Sequence, residues 1–319
     1  MDAIVTAGGI PLPEEPLYPA TNGESKALVD VAGKPMIQWV LDALTAAKTV
    51  DNVVIVGLTE KSGLKCGKKM YFVSNQGKMV ENLQAGARKV IEINPKATYA
   101  LMVSSDIPGI TGEMVDWIVN TDMQTNLDVY YHLIEREVME KRYPGCKRTW
   151  THLKGLEVCG GDMNVGRLSL VLSEDTEIWK KITDARKSAV KQAALVGLDT
   201  AFLLLTGQLT LEKAETNIMK RLNITGKALV CPYAEVGMDV DKLFQLEIMR
   251  EDLAKQVKKA GRLSKGKLAV KKAKVSAKSS SKGTKAAIKT KSTVSPKPKK
   301  TSTKAAPKRA GASKKTVKK

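Results

Sequence analysis

The first 120 residues alternate between short apolar runs and segments whose apolar residues recur at helical spacing. The runs have continuous apolar character, which is typical of strands buried on both faces of a sheet. The predicted strands are residues 2–7, 53–58, 70–73 and 99–104. The predicted helices are residues 35–44, residues 78–93 and one that begins after Thr111. This alternation predicts an α/β fold, Rossmann-like, with a mostly parallel sheet and helices on both faces. Ligands of such sheets bind at the carboxyl ends of the strands.

The second half of the folded region is less regular. Residues 127–134 are predicted to form a strand, and the stretch that follows, up to Gly161, is polar and rich in turns. The remaining elements are predicted helices at residues 173–195, 210–222 and 242–259, and a last strand at residues 227–231. We find no internal repeat.

Basic residues are concentrated at one end of the chain. The 319 residues include 53 Lys and Arg against 33 Asp and Glu, and 24 of the basic residues but no acidic residue fall in residues 255–319. Residues 1–254 therefore carry a net charge of −4. The basic segment consists largely of Lys, Ala, Ser, Thr and Pro, which bury too little apolar surface to offset the entropy of ordering. We predict a folded domain at residues 1–254 and a disordered basic tail at residues 255–319.

The composition of this tail suits non-specific binding to DNA, RNA or another polyanion, because each neutralised phosphate releases counterions. In composition the tail is similar to those of linker histones and of some bacterial nucleoid proteins. It contains no aromatic residue on which a base could stack, so reading of a base sequence is not expected. The alternative interpretation is a tail that only increases solubility.

Several classes of protein are excluded by what the sequence lacks. No apolar run approaches the roughly 18 residues needed to cross a bilayer, so no membrane association is predicted. The N-terminus has no basic region followed by a long apolar one, so no secretory signal is expected. The four cysteines show no C-x-x-C spacing and no neighbouring His, which argues against a zinc site or a disulfide framework. These features predict a cytoplasmic protein with reduced thiols.

Four short motifs follow one another along the domain. They are Ala7-Gly8-Gly9 after the first strand, the segment from Lys26 to Ile37 with the pattern K-x-L-x-x-x-x-G-K-P-M-I, Ser105-Asp106-Ile107-Pro108 after the strand at residues 99–104, and Asp239-Val240-Asp241 before the last helix. Each is weak evidence taken alone, because paired glycines and acidic strand ends are common. Their order is much more specific.

This ordered set resembles the MobA-like NTP transferases, the nucleotidyltransferases of the molybdenum-cofactor guanylyltransferase type, which are related to sugar-1-phosphate and cytidylyl transferases. The resemblance spans about residues 1–255 and is strongest over the first 45. It implies the GT-A-like fold of the nucleotide-diphospho-sugar transferases. It also implies that Ala7, Gly8 and Gly9 wrap the triphosphate of an NTP and that Lys26 contacts phosphate.

The same resemblance implies that Asp106 binds Mg²⁺ as a catalytic residue together with Lys26. It favours Asp241 as the second metal ligand, with Asp239 as the alternative candidate. The residue types suit these roles, since Mg²⁺ prefers carboxylate oxygens and a lysine supplies a mobile positive charge. The alternatives are a solvated loop lysine for Lys26 and a helix-capping role for each aspartate.

Other candidates concern the base and the acceptor. By resemblance, Asn75, Gln76 and Gly77 lie where related enzymes recognise the base, although they could form only a polar turn. The glycine-rich corner at residues 160–164 could close over the acceptor, with Asp162 or Asn164 touching it. Arg142 belongs to a region, residues 130–148, whose basic side chains suit a phosphorylated acceptor.

The sequence departs from the family in the loop after the glycines. Many relatives have an Arg there, but residues 10–19 contain four prolines, two glutamates and neither Arg nor Lys. The prolines predict a stiff lid. One phosphate-binding cation is therefore missing, and Glu14 and Glu15 would repel a triphosphate unless they face away from it.

We predict an enzyme that transfers NMP from an NTP to a phosphorylated small molecule, such as a sugar phosphate or a cofactor, with Mg²⁺ and release of pyrophosphate. A nucleic-acid-associated protein with a non-catalytic body is the alternative. A glycosyltransferase is disfavoured, because the motif that begins at Lys26 is characteristic of enzymes that make nucleotide sugars. A dehydrogenase is disfavoured because no G-x-G-x-x-G follows the first strand.

Overall fold

The computed structural model describes residues 1–173 and 197–259 of the chain. The chain divides into two compact units, Met1–Gly261 and Arg262–Lys319, and the second lies outside the described residues. The helix predicted at residues 173–195 falls outside them except for Ser173, and the basic tail falls outside them beyond residue 259. The division into a domain at residues 1–254 and a disordered tail therefore stays a prediction. The last helix continues to residue 259.

The described strands form one large mixed sheet and a small ribbon. The strands are β1 Asp2–Thr6, β2 Asp30–Val31, β3 Lys34–Pro35, β4 Asn52–Val56, β5 Lys69–Val73, β6 Tyr99–Ser104, β7 Val129–Glu135, β8 Thr151–Leu153, β9 Leu156–Gly160, β10 Met163–Arg167 and β11 Gly226–Val230. The order in the large sheet is β5-β4-β1-β6-β10-β7-β9-β8, with β11 beside β7, and β2 pairs with β3. Strands β5, β4, β1 and β6 are all parallel, as the alternation predicted.

Helices lie along both faces of the sheet. They are α1 Tyr18–Thr21, α2 Met36–Ala46, α3 Met79–Ile93, α4 Gly112–Asp122, α5 Arg136–Arg142, α6 Leu168–Val171, α7 Leu198–Leu205, α8 Leu211–Leu222 and α9 at residues 243–259, with 3-10 turns at Lys26–Leu28, Glu60–Ser62 and Ala234–Gly237. The Thr111 hydroxyl accepts a hydrogen bond from the Met114 N–H and caps α4, as predicted. None of the described helices combines the length and the apolar character that crossing a membrane requires.

The two faces of β1 show how the core is divided. Ala3 and Val5 point to the larger apolar cluster, which includes α2 and α4, whereas Ile4 points to a second cluster that includes α3. All three side chains are fully buried. The continuous apolar character of the strand therefore reflects helices on both sides, which confirms the predicted fold class.

The other half of the sheet is mainly antiparallel, although β11 runs parallel to β7. Its structure corrects one prediction. Strand β10 runs antiparallel between β6 and β7, and the stretch before Gly161 that was expected to be mainly turns contains α5, β8 and β9. A two-residue turn joins β8 to β9, and its Gly155 has a φ of +73°. Short strands with a polar exposed face have weak sequence patterns, because their apolar residues are few.

Candidate active site

Three strand ends meet at the carboxyl edge of the parallel half. Strand β1 lies between β4 and β6, so the glycine turn after β1 is flanked by Gly57 after β4 and by Ser105 after β6. The Ala7 N–H donates to the Val56 carbonyl at 2.8 Å, and the Ser105 N–H donates to the Thr6 carbonyl at 3.2 Å. These bonds hold the turn in place beside the residues that follow β6.

Lys26 extends along this glycine turn. Its backbone N–H donates to the Gly9 carbonyl at 3.0 Å, and a Cβ built on Gly9 would lie 3.4 Å from Lys26 Cε. The Lys26 amine forms ion pairs with Asp106 Oδ2 and, at 2.8 Å, with Asp241 Oδ1. Side chains separated by more than 200 positions in the sequence thus meet at one amine.

Both carboxylates are held by their own neighbours. The Ser104 hydroxyl donates to Asp106 Oδ1, and Asp106 is 4% exposed. The Val240 N–H donates to the Asp106 carbonyl at 3.0 Å, which fastens the segment before α9 to the end of β6. The Asp241 N–H donates to Gln245 Oε1 at 3.0 Å in the first turn of α9. The cluster is therefore preorganised by hydrogen bonds to neighbouring side chains and to the backbone.

The charge on Lys26 is stabilised by this arrangement. Burial of the amine would by itself lower the pKa of Lys26, but the carboxylates of Asp106 and Asp241 outweigh burial and hold the pKa above its ordinary value. The lysine is therefore a permanent cation at neutral pH, available to an anionic ligand.

The donor set also suits a divalent cation. Oxygens of Asp106 and Asp241 already converge on one positive charge, and Mg²⁺ needs only one or two protein carboxylates when phosphate oxygens and water complete its shell. No group of three or more His, Cys, Asp or Glu side chains in the described parts of the chain is arranged to hold a metal. The pair therefore fits a metal that arrives with a phosphate ligand.

Asp239, the reserve metal candidate, has a different partner. Its carboxylate forms an ion pair with Arg148, and its side chain is only 13% exposed. Asp241 lies two residues further on and reaches Lys26 instead. The structure thus places Asp241, and not Asp239, beside Asp106.

Gly57 is a site residue that the motifs did not reveal. Its φ is +107°, and a Cβ on it would lie 2.4 Å from both N and Cα of Gly8. The absence of a side chain at Gly57 lets the turn after β1 pass directly over the end of β4. The sequence feature that could have revealed Gly57 is its position directly after an apolar strand, which resembles the position of Gly8.

We expect Gly57→Ala to lower the free energy of unfolding by about 3 kcal/mol or more, because the cost of an unfavourable φ and the cost of a backbone clash add together. Urea denaturation measures this loss. Gly63→Ala is the matched control, since Gly63 has a φ of +67° but no atom within 4 Å of an added Cβ. Its cost should be about 1–2 kcal/mol. Equal losses in the two variants would contradict a role for Gly57 in shaping the turn.

The predicted base-recognition residues lie next to the same turn. Asn75 Nδ2 donates to the Gly8 carbonyl at 3.0 Å, and Asn75 Oδ1 accepts from the Gly77 N–H at 2.9 Å. A Cβ on Gly8 would lie 2.8 Å from Asn75 Oδ1, so the two residues are tightly packed. The Gln76 side chain is exposed and donates to the Ser74 carbonyl. Asn75 therefore shapes the glycine turn, while Gln76 is accessible to a ligand.

Of the three predicted acceptor-binding residues, the structure places only Asp162 at a cavity. A cavity of about 350 Å³ adjoins Asp241, and Asp162 lines it. Asn164 does not line it and joins two strands, since its side chain accepts from the His132 N–H and donates to the Gly161 carbonyl. Arg142 pairs with Glu235 and Asp252 and does not line this cavity.

The proline-rich loop at residues 10–19 holds one of its two acids by a hydrogen bond of its own. Glu15 Oε2 accepts a hydrogen bond from the Leu12 N–H of the same loop at 2.8 Å. Ile10 and Leu12 are more than half exposed. The loop thus uses Glu15 for its own conformation and supplies no cation to the site.

The fold, together with the comparisons that follow, defines an α/β NTP transferase. The model of the MobA-like NTP transferase domain matches residues 21–139, which include Lys26, Asn75 and Asp106. A hypothetical transferase from Thermus thermophilus is 31% identical, with a TM-score of 0.67 over 77% of this chain and 98% of that chain. The chain belongs to the MobA-like NTP transferase family.

Two more distant structures have TM-scores below 0.5. One is CMP:2-keto-3-deoxy-manno-octonic acid synthetase complexed with CTP, 15% identical with a TM-score of 0.48 over 80% of this chain and 99% of that chain. The other is 4-diphosphocytidyl-2C-methyl-D-erythritol synthase from Anaerococcus prevotii, 12% identical with a TM-score of 0.47 over 79% of this chain and 97% of that chain. No curated protein sequence matches significantly.

Proposed function

We propose that the protein transfers NMP from an NTP to a phosphorylated small molecule, with release of pyrophosphate and a requirement for Mg²⁺. The observation that carries this proposal is the position of the Lys26 amine, which lies between Asp106 and Asp241 and beside the glycine turn. One cation and two metal-binding carboxylates are thereby available to a triphosphate at the carboxyl edge of the sheet.

The proposed reaction is a displacement at the α-phosphorus. An oxygen of the acceptor phosphate forms a bond to the α-phosphorus, and the bond to the bridging oxygen of the β-phosphate breaks. The electron pair of that bond leaves with pyrophosphate. Such reactions depend on positioning and on neutralising charge, more than on covalent participation by the protein.

Each residue of the cluster has a role in this scheme. Amides of Gly8 and Gly9 would donate hydrogen bonds to phosphate oxygens. Lys26 would exchange its carboxylate partners for phosphate oxygens when the nucleotide binds. Asp106 and Asp241 would hold Mg²⁺, which neutralises charge on the phosphates when bound. Gln76 is the accessible candidate for a hydrogen bond to the base.

The test is a survey of turnover with the full-length protein. We expect pyrophosphate release from at least one of ATP, GTP, CTP and UTP in the presence of Mg²⁺ and a panel of phosphomonoesters. Release should require the acceptor and stop when EDTA removes the metal. Release that persists without any acceptor would indicate a pyrophosphohydrolase and would refute the transfer reaction.

The alternative function rests on the basic tail, which lies outside the described residues beyond residue 259. Binding of DNA, RNA or another polyanion by residues 255–319 stays a prediction, as does a cytoplasmic location. If the alternative were correct, no NTP would be consumed with any acceptor, and binding of a polyanion would not depend on Lys26 or Asp106. The survey above therefore discriminates between the two functions.

A further inference from the structure

One polar side chain lies on the face of α3 that packs against the sheet. Asn82 is in the first turn of this helix and is only 6% exposed. The other buried residues of α3 are Gly86, Ala87 and Val90, which continue the same stripe along the helix. Burial of an amide costs free energy unless its polar groups are hydrogen-bonded, so the partners of Asn82 decide what this residue does.

The amide of Asn82 begins a series of hydrogen bonds that ends at the glycine turn. Asn82 Oδ1 accepts from the Gln76 N–H at 2.7 Å, and Asn82 Nδ2 donates to Asn75 Oδ1 at 3.1 Å. Asn75 Oδ1 also accepts from the Gly77 N–H, and Asn75 Nδ2 donates to the Gly8 carbonyl at 3.0 Å. Because a backbone N–H only donates and a carbonyl only accepts, these backbone partners fix which way each amide points.

Helix α3 is a firm support for this series of bonds. Gly86 lies one turn after Asn82 on the buried face of the helix. A Cβ on Gly86 would lie 2.5 Å from Ile4 Cγ2 and 3.1 Å from Val56 Cγ2, so α3 packs closely against β1 and β4. Strand β1 leads directly into the glycine turn. A side chain held on α3 is therefore held in a fixed place relative to the turn.

The loop at residues 74–77 depends on these bonds for its position. All four of its residues are exposed, and Gly77 has a φ of +89° with no described atom within 4 Å of an added Cβ. A segment with so little packing is held mainly by its hydrogen bonds. Those to Asn82 attach the loop to α3, and the one to Gly8 attaches it to the turn.

We propose that Asn82 is a positioning residue for nucleotide binding, which holds the loop at residues 74–77 in a fixed place beside the glycine turn. The inference rests on the proposed function and extends it by naming a buried residue that acts through Asn75 and Gln76. The phosphates would lie on the turn and the base beside Gln76, so one ligand has to fit both parts at once. Preorganisation of the two parts removes the cost of ordering the loop when the nucleotide binds.

Removal of the Asn82 amide should affect the two halves of the nucleotide differently. The glycine turn keeps the backbone bonds that fasten it to β4 and to Lys26. The loop loses the acceptor of the Gln76 N–H and one of the partners of Asn75. A ligand that touches only the turn should therefore bind normally, whereas a ligand that also needs the loop should bind more weakly.

Inorganic tripolyphosphate and the NTPs are the probes, because they share a chain of phosphates and differ in the nucleoside. Dissociation constants of tripolyphosphate, ATP, GTP, CTP and UTP for the full-length protein can be measured by isothermal titration calorimetry with Mg²⁺ and without an acceptor. We expect Asn82→Ala to weaken binding of the preferred NTP about tenfold and binding of tripolyphosphate less than about twofold. Asn82→Asp should weaken the NTP similarly, because its carboxylate still accepts from the Gln76 N–H but cannot donate to Asn75.

Asn94→Ala is the matched control. Asn94 ends the same helix, is half-buried, and donates to Asp2 Oδ2 at 2.9 Å at the amino edge of the sheet. Its replacement should lower the stability to urea, as Asn82→Ala does, and leave both affinities at their wild-type values.

A second variant interrupts the same series of bonds at an exposed residue. Asn75→Ala removes the link to the Gly8 carbonyl and keeps the test valid if Asn82→Ala does not fold. It should weaken the NTP by a similar factor. Wild-type affinity for the NTP in Asn75→Ala or in folded Asn82→Ala would overturn the inference. Equal weakening of the NTP and of tripolyphosphate in Asn82→Ala would also overturn it.

The failure of this inference and the failure of the proposed function would look different. If an NTP is consumed with an acceptor but its KM is unchanged in Asn82→Ala, the role of Asn82 is wrong and the transfer reaction stands. If NTP affinity depends on Asn82 but no acceptor leads to pyrophosphate release, the positioning role stands and the transfer reaction is wrong. Binding of tripolyphosphate without binding of any NTP would overturn both.

Discussion

Asp106→Asn is expected to lower turnover of the NTP by about 10³-fold, since the amide removes both a proposed metal ligand and a charge beside Lys26. Asparagine has nearly the same shape and still accepts the hydrogen bond from the Ser104 hydroxyl. Lys26 keeps Asp241 as its partner, so the loss of one charged hydrogen bond should cost about 1–3 kcal/mol of stability and leave the protein folded. Pyrophosphate release and urea denaturation measure the two effects separately.

Asp42→Asn serves as the control for Asp106→Asn. Asp42 also pairs with a lysine, Lys34, but on the exposed surface of α2 and away from the carboxyl edge. It should turn over the NTP at the wild-type rate. If Asp106→Asn also turned over the NTP at the wild-type rate, Asp106 would not belong to the proposed metal site. Unfolding of that variant would be visible in the denaturation curve.

Lys26→Met is expected to have two opposite effects. It should lower kcat/KM for the NTP by about 10²–10³-fold, because a preorganised charge next to the phosphates is lost. It should also strengthen the binding of Mn²⁺ in the absence of nucleotide by about tenfold or more. The reason is that the ammonium and a divalent cation compete for the same oxygens of Asp106 and Asp241, and removal of the lysine leaves two facing carboxylates.

Manganese binding can be followed by EPR, and a rise in Tm with Mn²⁺ should accompany it in Lys26→Met alone. Lys34→Met is the matched control, because it also removes one lysine charge, but from the separate ion pair with Asp42. Its Mn²⁺ affinity should equal that of the wild type. Weaker Mn²⁺ binding in Lys26→Met than in the wild type would show that the lysine does not occupy the place of the metal.

The glycine turn, Lys26, Asp106 and Asp241 were all named from the sequence, and the structure brings them together. This was possible because each lies at a strand end or in a motif beside one, and parallel strands bring their carboxyl ends to one edge. Their catalytic and metal-binding roles remain predictions.

Residues in the antiparallel half were harder to assign. Arg142 has the right charge for an acceptor site, but it pairs with Glu235 and Asp252, which are distant in sequence. Asn164 occupies a glycine-rich corner, yet its amide joins β10 to β7. Which partner such a side chain finds depends on how the antiparallel strands pair, and no local pattern encodes that pairing.

The sequence by itself determined the α/β class, the parallel half of the sheet and the edge at which a ligand would bind. These follow from apolar periodicity and from strand ends, which are local properties of the chain. Only the tertiary structure decided that Asp241 faces Lys26 while Asp239 faces Arg148, and that Gly57 leaves room for the turn at Gly8. The physical reason is that ion pairing and steric exclusion act between atoms within a few ångströms, whatever their separation along the chain.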